Sequence, residues 1–146
     1  MLKQNEHRPS RATRRTGYVF AVGINAAVLY AIQSWPGWQE VPFLTARTEQ
    51  VLGWVAASLI AGLGANAAYL LTDPPWLKSL GDLVITGIGL VAIIRVWQVF
   101  PFDFGDASFD WALLMRILLG IAFFGSIAAM IVQSVVLVAD GSRRRR

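Results

Sequence analysis

The chain has 146 residues, and its composition excludes several broad classes of protein. Hydrophobic residues make up 55% of it, charged residues only 15%, and its mean hydropathy is +0.53. A soluble domain of this length normally has about a quarter charged residues and could not bury so much apolar surface. A disordered chain would be less hydrophobic, and a disulfide scaffold would need cysteine, of which there is none. The composition therefore predicts a multi-pass membrane protein.

Four apolar stretches are long enough to cross about 30 Å of hydrocarbon, which takes roughly 20 helical residues. The bilayer core offers no water to backbone groups, so each stretch should be helical. The first two stretches contain no charged residue, and the last two contain one arginine each. We therefore predict an all-α fold, a four-transmembrane-helix antiparallel bundle. Its spans are expected at about 17–35, 51–71, 83–100 and 111–138.

Turn residues separate the four stretches. Pro36 and Gly37 end the first stretch, and Pro101 follows the third. Thr48 stands where an N-cap belongs, directly before the second helix. Asp73 is a candidate cap for the third helix, and Pro75 suits its first turn.

Lysine and arginine are concentrated in the two tails, and this asymmetry predicts the orientation in the membrane. The first connection contains only Arg47, the second contains Lys78, and the third contains neither lysine nor arginine. Both tails are therefore expected in the cytoplasm of a cell-membrane protein. The basic tail before the first span also fits a signal peptide, but that apolar run is long for one.

The tails, 1–16 and 139–146, are expected to contact anionic lipid headgroups, and residues 1–16 and 141–146 of them are expected to be disordered. Docking of an acidic partner is the alternative. No aromatic residue interleaves their arginines, so nucleic acid is not expected.

Two arginines within the spans are the most informative positions. Arg95 and Arg116 are each expected to lie about 7–8 Å below the outer boundary on sequential helices. The loop between them supplies Asp103, Asp106 and Asp110. Because intramembrane charges usually pair, an ion-pair clamp of this loop is the favoured interpretation. An anion or lipid-headgroup site and lipid-facing snorkelling remain the alternatives.

Other polar and small residues in the spans indicate helix packing. Asn25 and Asn66 are expected to hydrogen-bond between the first two helices. Asp82 lies near the inner end of the third span, where capping or solvation accounts for it. Small residues four apart favour close approach of helices within one chain or between chains. These are Ala57, Ala61, Ala65, Gly64, Ala68, Gly125 and Ala129.

Residue types and motifs that are typical of catalytic, cofactor-binding or metal-binding sites are scarce in this sequence. His7 is the only histidine, and there is no cysteine, phosphate-binding loop, dinucleotide fingerprint or nucleophile elbow. We therefore predict no catalytic residue, no cofactor and no metal site, and expect a protein that is not an enzyme.

Three segments carry a resemblance to known sequences: RTGYVFAVGINAAVLY, WPGWQEVPFL and RVWQVFPFDFGD. They resemble those of small four-helix integral membrane proteins of actinobacteria that are uncharacterised. The likeness covers most of residues 14–138 and implies the same four-span architecture. It implies no activity.

Three functions are compatible with these features. The favoured one is a non-enzymatic accessory or scaffold subunit that packs against a membrane protein partner or forms a homo-oligomer. The second is a minimal transporter or channel subunit with an arginine-lined anion or lipid-headgroup site. The third is a holin-like pore former, on account of small size, several spans and a basic C-terminus.

Overall fold

A computed structural model describes residues 9–144, and within that range the fold is all-helical apart from connections and one isolated β-bridge. Four long helices are present, and each is long and apolar enough to cross a membrane, as predicted. Two short 3-10 turns, Trp38–Glu40 and Ala46–Thr48, lie in the first connection. The long helices are α1 (Arg11–Gln33), α2 (Glu49–Leu71), α3 (Pro75–Val99) and α4 (Trp111–Arg144).

Helices α1, α2 and α3 begin before their predicted spans, α4 ends after its own, and α1 and α3 end one or two residues early. Helix α1 begins six residues early because the Ser10 hydroxyl accepts a hydrogen bond from the Thr13 amide at 3.2 Å. Helix α3 begins at Pro75, whose fixed φ suits a first turn. Residues 11–16 and 141–144, expected to be disordered, are helical. Of the other tail residues, 1–8, which include His7, and 145–146 lie outside the described range.

Two predicted caps have other roles in the structure. Thr48 has helical dihedrals and gives no side-chain cap to α2, and its hydroxyl is buried without a hydrogen-bond partner among residues 9–144. Pro74 occupies the N-cap position of α3, so that Asp73 is left to pair with a side chain of α1. Thr48 is helical because it ends the 3-10 turn Ala46–Thr48, which runs directly into α2, whereas the extended residue before α3 is Pro74, one residue after Asp73.

The helices pack in a row in chain order: α1 on α2, α2 on α3, and α3 on α4. Neighbours run antiparallel, since Tyr18 meets Tyr69 at one level and Asn25 meets Gly62 farther along. Helices α1 and α4 share at most marginal contact, unlike the first and last helices of a closed bundle. None of residues 111–143 of α4 is fully buried.

This arrangement gives the molecule two unlike ends. The loop end carries the long connections, residues 34–48 and 100–110, and the tail end carries the α2–α3 link, residues 72–74. Both ends of the described chain also lie at the tail end, because four antiparallel helices return the chain to the side where it began.

Main-chain hydrogen bonds join the two connections at the loop end. The Thr45 amide donates to the Pro101 carbonyl at 2.9 Å, and the Asp103 amide donates to the Phe43 carbonyl at 2.9 Å. Pro101 is fully buried beneath this bridge. The bridge holds the connection after α1 against the connection before α4, although those two helices barely touch.

Candidate functional site

The two arginines near the loop end do not reach a carboxylate. The Arg116 guanidinium lies over the Phe100 ring, 4.4 Å from its centroid, in a cation–π contact. Arg95 is exposed and has no side-chain hydrogen bond or ion pair within residues 9–144. In that range the ion pairs are those of Arg14 and Lys78, both at the tail end. The geometry therefore differs from the expected clamp.

The aspartates of the same loop are used locally. Asp103 accepts a hydrogen bond from the Gly105 amide at 3.0 Å, which tightens the turn that contains that left-handed glycine. Asp110 accepts from the Leu113 amide at 2.9 Å and so caps α4. Asp106 is exposed. Carboxylates that already bind main-chain amides shape the loop without tying it to Arg95 or Arg116.

A groove of about 860 Å³ opens at the loop end between the two connections and the start of α4. Phe43 and Phe104 stack in its wall, with ring centroids 5.6 Å apart. Trp111 and Leu118 line the α4 side. The wall is mainly apolar, so the groove suits a hydrocarbon chain or an apolar side chain.

Asn25 and Asn66 meet at a glycine and do not pair with each other. The Asn66 side-chain amide donates to the main-chain carbonyl of Gly62, one turn earlier in α2, at 2.7 Å. Asn25 of α1 packs on Gly62 so closely that a Cβ there would stand 3.0 Å from Asn25 Nδ2. The buried glycine therefore permits the close approach of α1 and α2 at this level.

A polar cluster at the tail end joins α2 to α3. The Tyr69 hydroxyl lies 3.1 Å from both the Lys78 carbonyl and Asp82 Oδ1, so these two acceptors share its proton. Lys78 forms an ion pair with Asp82 one turn on, and its ammonium lies 5.7 Å from the Tyr69 ring centroid. Asp82 was expected to cap a helix or to be solvated. In the structure its carboxylate accepts a hydrogen bond from Tyr69 and forms an ion pair with Lys78.

Helix α1 joins the same cluster. Arg14 Nε donates to Asp73 Oδ2 at 2.7 Å, and both side chains are mostly buried. One turn on, the Tyr18 ring packs against Tyr69 with centroids 5.4 Å apart. We name these six residues the tail-end cluster: Arg14, Tyr18, Tyr69, Asp73, Lys78 and Asp82.

Sequence reasoning did not identify the tail-end cluster, although a signal was present. Helices α1 and α3 each carry polar residues four apart near the tail end, Arg14 with Tyr18 and Lys78 with Asp82. Residues four apart share a helix face, and such faces at the same end of the chain's helices indicate a common contact. Because residues up to 16 were expected to be disordered, Arg14 was not predicted to share a helix face with Tyr18.

In this cluster the charged groups pair with one another, within α3 and between α1 and the α2–α3 link. Within residues 9–144 no group of three or more histidine, cysteine or acidic side chains could hold a metal ion. No protein-family model matches the chain, and neither a curated protein nor a solved structure shows significant similarity to it.

Proposed function

We propose that this chain is an integral membrane protein that serves as a non-enzymatic accessory or scaffold subunit, with both tails in the cytoplasm. The basic tails support this orientation, because cytoplasmic segments carry an excess of lysine and arginine. The tail-end cluster supports a structural role, because its charges form ion pairs with one another, Arg14 with Asp73 of the α2–α3 link and Lys78 with Asp82. The loops are too short to hold a soluble domain.

One observation carries the accessory role: α1 and α4 lie at the edges of the row, each packs mainly against one long helix, and α4 is the more exposed of the two. Its span has no fully buried residue, and large side chains such as Phe124 and Ile121 are 71% and 65% exposed. Gly125, on the same helix, has open space around its Cβ position, so another backbone could approach closely there. A membrane helix packed on one side only retains a face for a second helix.

Site-specific photo-crosslinking in native membranes tests this role. A benzophenone amino acid replaces Phe124 of α4 in one variant and Phe20 of α1 in the other. Both side chains are about equally exposed, 71% and 70%, and each lies thirteen residues from the loop-end terminus of its helix. We expect a discrete protein adduct from at least one of the two positions, because α1 and α4 are both edge helices with an uncovered face. Lipid adducts alone from both positions would contradict the role.

A separate measurement tests the orientation. Reporter fusions after Arg146 and before Met1 should both be active in the cytoplasm, and a fusion within the connection of residues 100–110 should be active only outside. A reporter that places either terminus outside would overturn the membrane placement without bearing on partner binding.

A minimal transporter or channel subunit is the second candidate. It is favoured by Arg95 and Arg116, which are exposed and not neutralised by a carboxylate within residues 9–144. Free arginines near the membrane boundary can attract anions. Anion flux into proteoliposomes that falls when both become glutamine would favour this candidate over the accessory role.

A further inference from the structure

A basic cavity of about 460 Å³ lies at the tail end, between the start of α1 and the α2–α3 link. Three arginines of α1 form one side of it: Arg11, Arg14 and Arg15. The other side includes Thr72 and Asp73. The cavity shares Arg14, Tyr69 and Asp73 with the tail-end cluster.

The placement of the arginines follows from the register of α1. Positions 11, 14, 15 and 18 fall on one face of a helix. Tyr18, the last of them, is fixed on that side by its contact with Tyr69 of α2. Because Tyr18 faces α2, the three arginines before it are directed toward the end of α2 and the link that follows.

The charges of the cavity wall are not balanced. Asp73 is the one acidic residue of the wall, and it binds Arg14. Nearby, Lys78 and Asp82 form a pair of their own. Arg11 and Arg15 are exposed and have no ion pair within residues 9–144. The wall therefore keeps two positive charges that no carboxylate of the described chain neutralises.

The cavity wall includes apolar as well as basic side chains. Leu70 and Leu71 line it together with the arginines, and Leu71 is 87% exposed. A ligand with an anionic head and an apolar extension would place the head against the guanidinium groups and the extension along these leucines. Guanidinium groups bind phosphate oxygens through paired, charge-assisted hydrogen bonds.

We propose that this cavity binds a phosphate group, with Arg11 and Arg15 donating to its oxygens while the Arg14–Asp73 pair holds α1 against the α2–α3 link. The phosphate of an anionic lipid headgroup and free phosphate share this chemistry. The inference goes beyond the accessory role, and phosphate binding in detergent does not depend on that role or on the orientation in the membrane.

Native mass spectrometry of the full chain in mild detergent tests the proposal. The probes are phosphatidylglycerol, inorganic phosphate and the zwitterionic phosphatidylcholine. The test variant is Arg11→Gln with Arg15→Gln, both exposed side chains whose replacement leaves helix packing intact. The matched control is Arg47→Gln with Arg143→Gln, which removes the same charge at exposed positions outside the cavity.

We expect phosphatidylglycerol to bind the natural chain more tightly than phosphatidylcholine. Each arginine near a membrane surface contributes about a fivefold gain, so the test variant should bind roughly 25-fold more weakly. The control should bind as the natural chain does, and Arg11→Lys with Arg15→Lys should keep most of the affinity. Circular dichroism of each variant checks that the helices remain.

The remaining outcomes either distinguish a lipid headgroup from free phosphate as the bound ligand, or reject the site. Inorganic phosphate that displaces the lipid at comparable concentration, with the same loss in the test variant, would support the site and assign it to free phosphate. Equal weakening in the test variant and the control would reject it, since net charge alone would then explain binding. Absence of both lipid and phosphate binding to the natural chain would also overturn it.

Discussion

Tyr69 of α2 lies directly over Gly81 of α3, so that a Cβ atom at position 81 would stand 2.9 Å from Tyr69 Cζ. This contact places the tyrosine hydroxyl between the Lys78 carbonyl and the Asp82 carboxylate. A glycine at position 81 is thus a condition for the tail-end cluster.

We expect Gly81→Ala to destabilise the protein by about 1–3 kcal/mol, because the added methyl group forces Tyr69 out of its position. Gly87→Ala in the same helix is the control, since a Cβ there meets nothing within 4 Å. That change should be neutral or stabilise by about 0.5–1 kcal/mol through backbone entropy. Unfolding in detergent, followed by circular dichroism, measures both. Equal effects at the two positions would show that the contact does not matter.

Gly62→Ala should weaken the packing of α1 on α2 by about 1 kcal/mol, because its methyl group must displace the Asn25 amide. Gly64→Ala, two residues along, has open space and serves as the control. Asn25→Ala should relieve most of the penalty when combined with Gly62→Ala, which a double-mutant cycle on unfolding free energies would detect. Strict additivity of the two changes would argue against their contact.

The Arg14–Asp73 ion pair should contribute to stability more than a surface pair does. Both side chains are mostly buried, at 16% and 25% exposure, so removal of one leaves its partner poorly solvated. We expect Arg14→Gln to lower the unfolding free energy measurably, because the charge-assisted hydrogen bond to Asp73 is lost. Arg15→Gln, at an exposed neighbouring position, should change it by less than about 0.5 kcal/mol. A chemical-denaturation series in micelles compares them, and equal losses would mean that only net charge matters.

Asp110 provides a test of capping against the expected clamp. Asp110→Ala should cost about 1 kcal/mol, because the Leu113 amide loses its acceptor. Asp110→Asn should be nearly neutral, because asparagine caps helices as well as aspartate does. Thermal unfolding in detergent distinguishes the cases, with Asp106→Ala as the control at an exposed position of the same loop. A large loss in the asparagine variant would restore an ion-pair role for Asp110.

The location of the helices could be predicted from the sequence, because apolar length alone decides which segments suit a bilayer. Their ends were less predictable. Thr48 looked like a cap and is not one, and the helix at Arg11 begins within a segment whose composition suggested disorder. A helix end depends on a few hydrogen bonds, such as that of Ser10 to Thr13, which composition does not reveal.

For the candidate sites too, the sequence indicated conspicuous residues but not the groups that they contact. Arg95 and Arg116 were conspicuous because charge is costly in an apolar segment. Which group each one meets depends on the direction of the helix face, and Arg116 turns to a phenylalanine ring. The residues that do pair across helices, such as Arg14 and Asp73, lie 59 positions apart. Their separation along the sequence gives no indication that the two side chains are in contact.

The sequence by itself determined that the chain forms four apolar helices with basic tails, because hydropathy and charge are properties of each segment alone. Only the tertiary structure decided that these helices form a row with α4 at its edge, and that α1, α2 and α3 share a polar cluster at the tail end. The physical reason is that such contacts depend on the rotation of each helix about its own axis. That rotation is set by packing between helices, for example where Gly62 and Gly81 lack a Cβ and so leave space for Asn25 and Tyr69.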